Sequence, residues 1–122
     1  MAKTLFILND PPYGTERSFN GLRLAGALSK HEGEQVKVFL IGDGASCAKG
    51  NQKVPQGYYN IEVMLRALAR HGGDIGVCGT CMDARGMTDA EQGRRRESLA
   101  VHEVVADGAA SVASCRRQRP RR

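Results

Sequence analysis

Apolar residues in this chain come in short runs separated by polar and glycine-rich stretches, and the spacing within each run predicts an element. Lys3–Asp10, "KTLFILND", is a compact apolar run that breaks on polar residues and "PPYG". It reads as a buried strand and a turn. In "ERSFNGLRLAGALSKHEG", Phe19, Leu22, Ala25, Gly26 and Leu28 recur at helical spacing, and Gly33 is a natural stop. "EQVKVFLIGDG" predicts a second strand through Val36, Val38, Phe39, Leu40 and Ile41, closing on Gly42-Asp43-Gly44. A polar, glycine-containing stretch then runs to Gly57. "YYNIEVMLRALARHGG" predicts the clearest helix: Ile61, Met64, Leu65 and Leu68 share one stripe, Arg66 and Arg70 lie off it, and Gly72 ends it. "DIGVC" is a third strand. Strands alternating with helices over connections of this length imply parallel pairing and right-handed crossovers.

Beyond Met87 the pattern thins. "TDAE" fits a capping box with Thr88 as N-cap and Glu91 at its third position. "RRRESLAVHEVVADG" suits a helix with a narrow apolar stripe, and "AASVASC" suits a weak last strand. No internal repeat or second domain is visible. The expected fold is a single α/β domain, residues 1–115, with a mostly parallel sheet of about five strands.

Composition adds limits. The 122 residues suffice for one domain with its own core. The apolar run Leu5–Leu8 is too short for a signal-peptide core or a membrane span, so a cytoplasmic protein with reduced thiols is expected. Four cysteines are then no disulfide framework. The formal charge of +5 sits in "RRQRPRR", residues 116–122, which holds five Arg; without them 13 basic residues face 13 acidic ones. The body is neutral. The tail reads as a solvated, disordered end, able at most to make sequence-independent phosphate contacts, so no specific nucleic-acid partner and no membrane partner is expected.

The chemistry concentrates in "VCGTCMDARGM", Val77–Met87, where Cys78 and Cys81 stand three residues apart. In open parallel sheets, ligands bind beyond the carboxyl ends of the strands. Three such ends carry distinctive residues: Asn9-Asp10 with Tyr13-Gly14, Gly42-Asp43-Gly44, and Cys78 with Cys81. A helical turn starting after Cys78 would set its thiol at a helix N-terminus, where backbone N–H groups stabilise a thiolate, and Arg85 would add positive charge. Four uses of the pair remain open on this pattern: structural metal, thiol–disulfide exchange, a sulfur carrier, or two small buried thiols. A zinc site needs four ligands, and Cys47, Cys115, His31, His71 and His102 offer no second close pair. No metal and no cofactor is expected. Cys47 and Cys115 read as small hydrophobes.

Four segments in order resemble the DsrE/DsrF-like sulfur-relay family, most of all its small YchN-type branch: "NDPPYGTERSFNGLRLAGAL", "VFLIGDG", "GNQKVPQGYYNIEVML" and "VCGTCMDARGM". Together they cover most of Lys3–Met87. The resemblance implies a three-layer α/β/α domain, a cytoplasmic homo-oligomer (hexamer or trimer), and handling of sulfane sulfur. In relay members a cysteine follows the third strand and an Arg-Gly pair stands seven and eight residues later. Here Cys78, Arg85 and Gly86 fill those places. Cys81 belongs to the two-thiol variation. The C-terminal "VVADGAASVASCRRQRPRR" departs from the family's helix and hydrophobic strand.

On this reading Cys78 attacks the outer sulfur of a donor persulfide and passes it to an acceptor protein. Cys81 resolves the persulfide, and Arg85 with backbone N–H groups holds the anion. Asn9, Tyr13 and Asp43 are the expected walls of the pocket. Two other readings are a non-catalytic oligomeric module that binds a small ligand and a thiol–disulfide oxidoreductase using Cys78 and Cys81.

Overall fold

The computed structural model describes residues 2–87, 97–99 and 111–115. Three strands, β1 (Ala2–Leu8), β2 (Glu34–Leu40) and β3 (Asp74–Cys78), pair in parallel. Two shorter segments extend the sheet: β4 (Glu97–Leu99) pairs with β3 and β5 (Ser111–Cys115) with β1, both in parallel, giving the order β4-β3-β2-β1-β5. The protein is thus an α/β fold on a parallel sheet, as the alternation of strand-like and helix-like runs requires.

Two helices form the crossovers. Helix α1 (Arg17–Ser29) turns its buried Leu22 and Ala25 to the sheet. Helix α2 (Ile61–Arg70) starts after Asn60, whose side-chain oxygen accepts the Val63 N–H at 3.2 Å and so satisfies one of the free donors of the first turn. Its stripe is the expected one: Ile61, Leu65 and Leu68 are buried and Met64 packs at the margin. The strands alternate as pleated chains must. One sheet face presents Phe6, Leu8, Val36, Val38, Leu40 and Val77, and α1 and α2 both pack there. The other presents Leu5, Phe39 and Cys78, with Ile7, Ile41 and Cys81 beside them.

Two details differ from the pattern reading. The stretch after Ile41 is not an open loop but a 3-10 helix, Gly42–Ala48, made of small residues that sit against the end of β1. Gly44 permits this: a Cβ there would overlap the Leu8 carbonyl. Glu97–Leu99, within the segment expected to be helical, is instead a strand, since the free edge of β3 offers it backbone partners from Gly76 to Cys78. The capping box at Thr88–Glu91, the remainder of that expected helix and the tail 116–122 lie outside the described residues.

Candidate functional site

The register of the sheet assembles the site. Leu8 pairs with Leu40, and Leu40 with Val77, so Asn9, Gly42 and Cys78 emerge at the same carboxyl edge. Cys78 ends β3 and is the N-cap residue of a five-residue helix, α3 (Gly79–Asp83). That turn carries Cys81 back toward the sheet, and Met82 anchors it in the core. Cys78 is recessed, with 8% of its surface exposed, whereas Cys81 is half-buried. Both thiols are free.

The two sulfurs interact. Burial is the largest cause that pushes the Cys81 thiol above the ordinary range, and its hydrogen bond to Cys78 is the second. Two groups pull the other way. The Gly42 N–H donates to the Cys81 sulfur at 3.2 Å, and Arg85 lies within electrostatic reach. Cys81 therefore keeps its proton near neutrality. This backbone donor comes across from the first residue of the 3-10 helix after β2 and points at Cys81. The sequence reading had placed such donors after Cys78.

Arg85 ties the 3-10 helix to α3. Its Nη1 donates to the Cys81 carbonyl at 3.0 Å and its Nη2 to the Asp43 carboxylate at 2.7 Å. Cys78, Cys81, Asp43 and Arg85, all expected at the site, thus form one continuous group. Asn9 adjoins it through the backbone: its carbonyl lies 3.9 Å from where a Gly42 side chain would begin.

Tyr13 belongs to a neighbouring cluster. Its hydroxyl donates to Gln52 Oε1 at 2.7 Å and accepts the Ile61 N–H at 3.2 Å, while its ring stacks on Tyr59 at 5.8 Å. Burial, ahead of its other causes, raises its pKa. Gln52 also donates to the Cys47 and Lys49 carbonyls, and its N–H and that of Asn51 donate to the buried Glu62 carboxylate. Arg66 pairs with Glu62 at 2.6 Å. This network fixes the chain between the 3-10 helix and α2. Cys47 is fully buried and donates to the Asp10 carbonyl at 3.6 Å.

The sequence marks Gly42 only as part of a strand end, without a role, and Ile41 only as a strand residue. Their signal was present in the "IGDG" that closes β2, because a glycine there leaves a backbone N–H open to a neighbouring side chain. Among the described residues, no three His, Cys, Asp or Glu side chains converge to hold a metal ion. No described helix is long and apolar enough to cross a membrane.

The model of the DsrE/DsrF-like family matches residues 2–115, which include every residue of this group. The chain belongs to the DsrE/DsrF-like family. Its relatives there include Protein YchN of Escherichia coli, 38% identical over 72% of this chain and 75% of that protein. An uncharacterized protein of Methanopyrus kandleri is 33% identical over 81% of this chain and 80% of its own length. The crystal structure of the E. coli YchN protein superposes with a TM-score of 0.86 at 32% identity, covering 93% of this chain and 99% of that one. A protein of unknown function from Methanobacterium thermoautotrophicum shares the fold with a TM-score of 0.73 at 13% identity.

Proposed function

We propose that the protein is a cytoplasmic sulfur carrier that holds sulfane sulfur as a persulfide on Cys78. Membership of the DsrE/DsrF-like family supports a sulfur-relay role. The observation that carries the finer reading is the Cys78–Cys81 contact at the carboxyl edge of the sheet, with the Gly42 N–H on one sulfur and Arg85 beside it. Cys78, at the end of β3 and hydrogen-bonded to Cys81, is the attacking sulfur on this reading. It displaces a thiolate from the outer sulfur of a donor persulfide and becomes Cys78–S–SH. An acceptor protein's thiolate then takes the outer sulfur. Where no acceptor arrives, the Cys81 thiolate attacks the inner sulfur, releases hydrosulfide and leaves a Cys78–Cys81 disulfide, which an external dithiol reduces.

The same contact favours a second reading, thiol–disulfide exchange by the Cys78/Cys81 pair. Intact-mass analysis after incubation with a small persulfide donor separates the two. A carrier first gains the mass of one sulfur atom, removable by a reducing thiol, and reaches the disulfide only from that loaded form. An exchange protein only loses two hydrogens as its disulfide forms.

A further inference from the structure

We propose that the Ile41–Gly42 peptide is a fixed backbone donor that holds the negative charge of Cys81 when this thiol ionises, and that Gly42 is the residue that aims it. This rests on the persulfide reading of Cys78 and deepens it, because charge on Cys81 starts the resolving step. The geometry around Gly42 carries the inference. Its N–H donates to the Cys81 sulfur at 3.2 Å. The other end of the same peptide unit is also held: the Ile41 carbonyl accepts the Gly44 N–H at 3.0 Å. In a trans peptide the C=O and N–H point in opposite directions, so fixing one end aims the other. Ile41 is itself tied to the first strand, since its N–H donates to the Leu8 carbonyl at 3.1 Å. The donor is set in place before any charge develops, and needs no rearrangement when it does.

Gly42 makes this orientation available. Its φ is +60°, in the left-handed region that residues with a side chain resist. Space does not account for the glycine: the nearest described atom to a Cβ built there is the Asn9 carbonyl oxygen, at 3.9 Å, an ordinary contact. Gly42 thus serves through its backbone angle, in contrast to Gly44, where a Cβ would overlap the Leu8 carbonyl. A residue that holds φ negative turns the Ile41–Gly42 peptide and takes its N–H off the sulfur.

The step that uses this charge balances without an outside oxidant. The Cys81 thiolate attacks the Cys78 sulfur of Cys78–S–SH. The Cys78–Cys81 bond forms, the bond to the outer sulfur breaks, and hydrosulfide leaves with the electron pair. The two cysteines are oxidised and the sulfane sulfur is reduced to sulfide. A donor on Cys81 raises its thiolate fraction more than it lowers its nucleophilicity, because attack weakens with falling pKa at a Brønsted slope of only about 0.4–0.5. Gly42 therefore shortens the life of a persulfide that no acceptor claims.

The test compares the parent chain with Gly42→Val and Gly42→Asn. Asparagine enters the left-handed region far more readily than most residues, whereas a β-branched valine is an outlier there. Site-resolved alkylation by iodoacetamide near neutral pH is expected to be about threefold slower at Cys81 in Gly42→Val. A tenfold loss of thiolate, offset by the gain in nucleophilicity, gives about that factor. Gly42→Asn is expected to keep the parent rate. After loading from cysteine persulfide, intact mass should show the added sulfur lasting severalfold longer in Gly42→Val than in the parent. Mere loosening of the fold has the opposite sign, since it exposes both thiols and speeds their alkylation. If Gly42→Val does not fold, Gly42→Ala takes its place, with a smaller slowing at Cys81. A parent rate at Cys81 in that variant, an equal fall in Gly42→Asn, or faster alkylation of both thiols overturns the inference. Loading of no sulfur on the parent overturns the carrier reading instead, and the alkylation rates still decide the role of Gly42.

Discussion

The Gly42 N–H donates to the Cys81 sulfur at 3.2 Å, tying the 3-10 helix after the second strand to the second thiol of the pair. That donor favours the thiolate, but burial and the bond to Cys78 outweigh it, and the Cys81 pKa is raised. Cys81 should therefore resist alkylation at neutral pH. Its rate should climb about tenfold per pH unit and pass the ordinary thiol midpoint, about 8.5, without levelling off. Site-resolved alkylation with iodoacetamide across this range is the check; a plateau reached below that midpoint would mean that Gly42 and Arg85 win. The lifetime of a persulfide on Cys78 should shorten over the same rise, because more Cys81 is ionised to resolve it.

Arg85 bridges Asp43 and the Cys81 carbonyl at a place where Asp43 is mostly exposed. An ion pair so open to water contributes about 0–1 kcal/mol. Arg85→Ala should leave the unfolding midpoint almost unchanged, yet slow loading by an anionic donor severalfold. The slowing should fade as salt rises, since screening removes the same attraction. A rate that matches the parent at low salt would take Arg85 out of the site.

Tyr13 tests the neighbouring network. Tyr13→Phe strands Gln52 Oε1 and the Ile61 N–H, at a cost of about 1–3 kcal/mol. Loading at Cys78 should persist, because this cluster fixes the chain between the 3-10 helix and α2 and makes no bond to the thiol pair. The pH dependence has a definite sign. The folded state holds the Tyr13 proton above its usual range, chiefly through burial. This stability is present in full below the unfolded value, about pH 10, and is lost as pH rises past it. Urea unfolding at alkaline pH should show that loss in the parent and less of it in Tyr13→Phe.

Gly44 lies where a Cβ would overlap the Leu8 carbonyl, and a backbone atom cannot swing away. Gly44→Ala should cost about 3 kcal/mol, the upper part of the overpacking range. The urea midpoint should fall with the slope unchanged. A variant as stable as the parent would show that the 3-10 helix stands off from β1.

Self-association is proposed through the outer side of the helices. Tyr58 is 72% exposed, Val63 56% and Leu24 53%, while Tyr59 is held inward by stacking on Phe19 at 4.2 Å. Light scattering should give a mass several times that of one chain at micromolar concentration, and Val63→Glu should lower it. A clean monomer refutes the proposal.

The strands and both long helices were legible because each buries one face. Val36, Val38 and Leu40 alternate, and Ile61, Leu65 and Leu68 recur at helical spacing. The 3-10 helix was not, since "GDGASCA" has no large side chain to set a period, and its position depends on Gly44 meeting a distant strand. Glu97–Leu99 shows the same limit: its conformation comes from the edge of β3, which no local pattern reveals. At the site, the strand-end rule brings Cys78, Cys81 and Asp43 together, while Arg85 enters as a nearby positive charge and through the family resemblance. Tyr13 also stands at a strand end, but its bonds to Gln52 and Ile61 are long-range and left no mark in local spacing.

The central claim is that Cys78 is the sulfur-bearing atom and Cys81 its resolving neighbour. It is tested most directly by intact mass against time for Cys78→Ser and Cys81→Ser after addition of a small persulfide donor. Cys78→Ser should gain no sulfur and remain folded, since serine is close to cysteine in size. Cys81→Ser should gain one sulfur atom and hold it longer than the parent does. Loading of Cys78→Ser with none in Cys81→Ser would reverse the assignment, and parent-like loading of both would place the sulfur elsewhere in the chain.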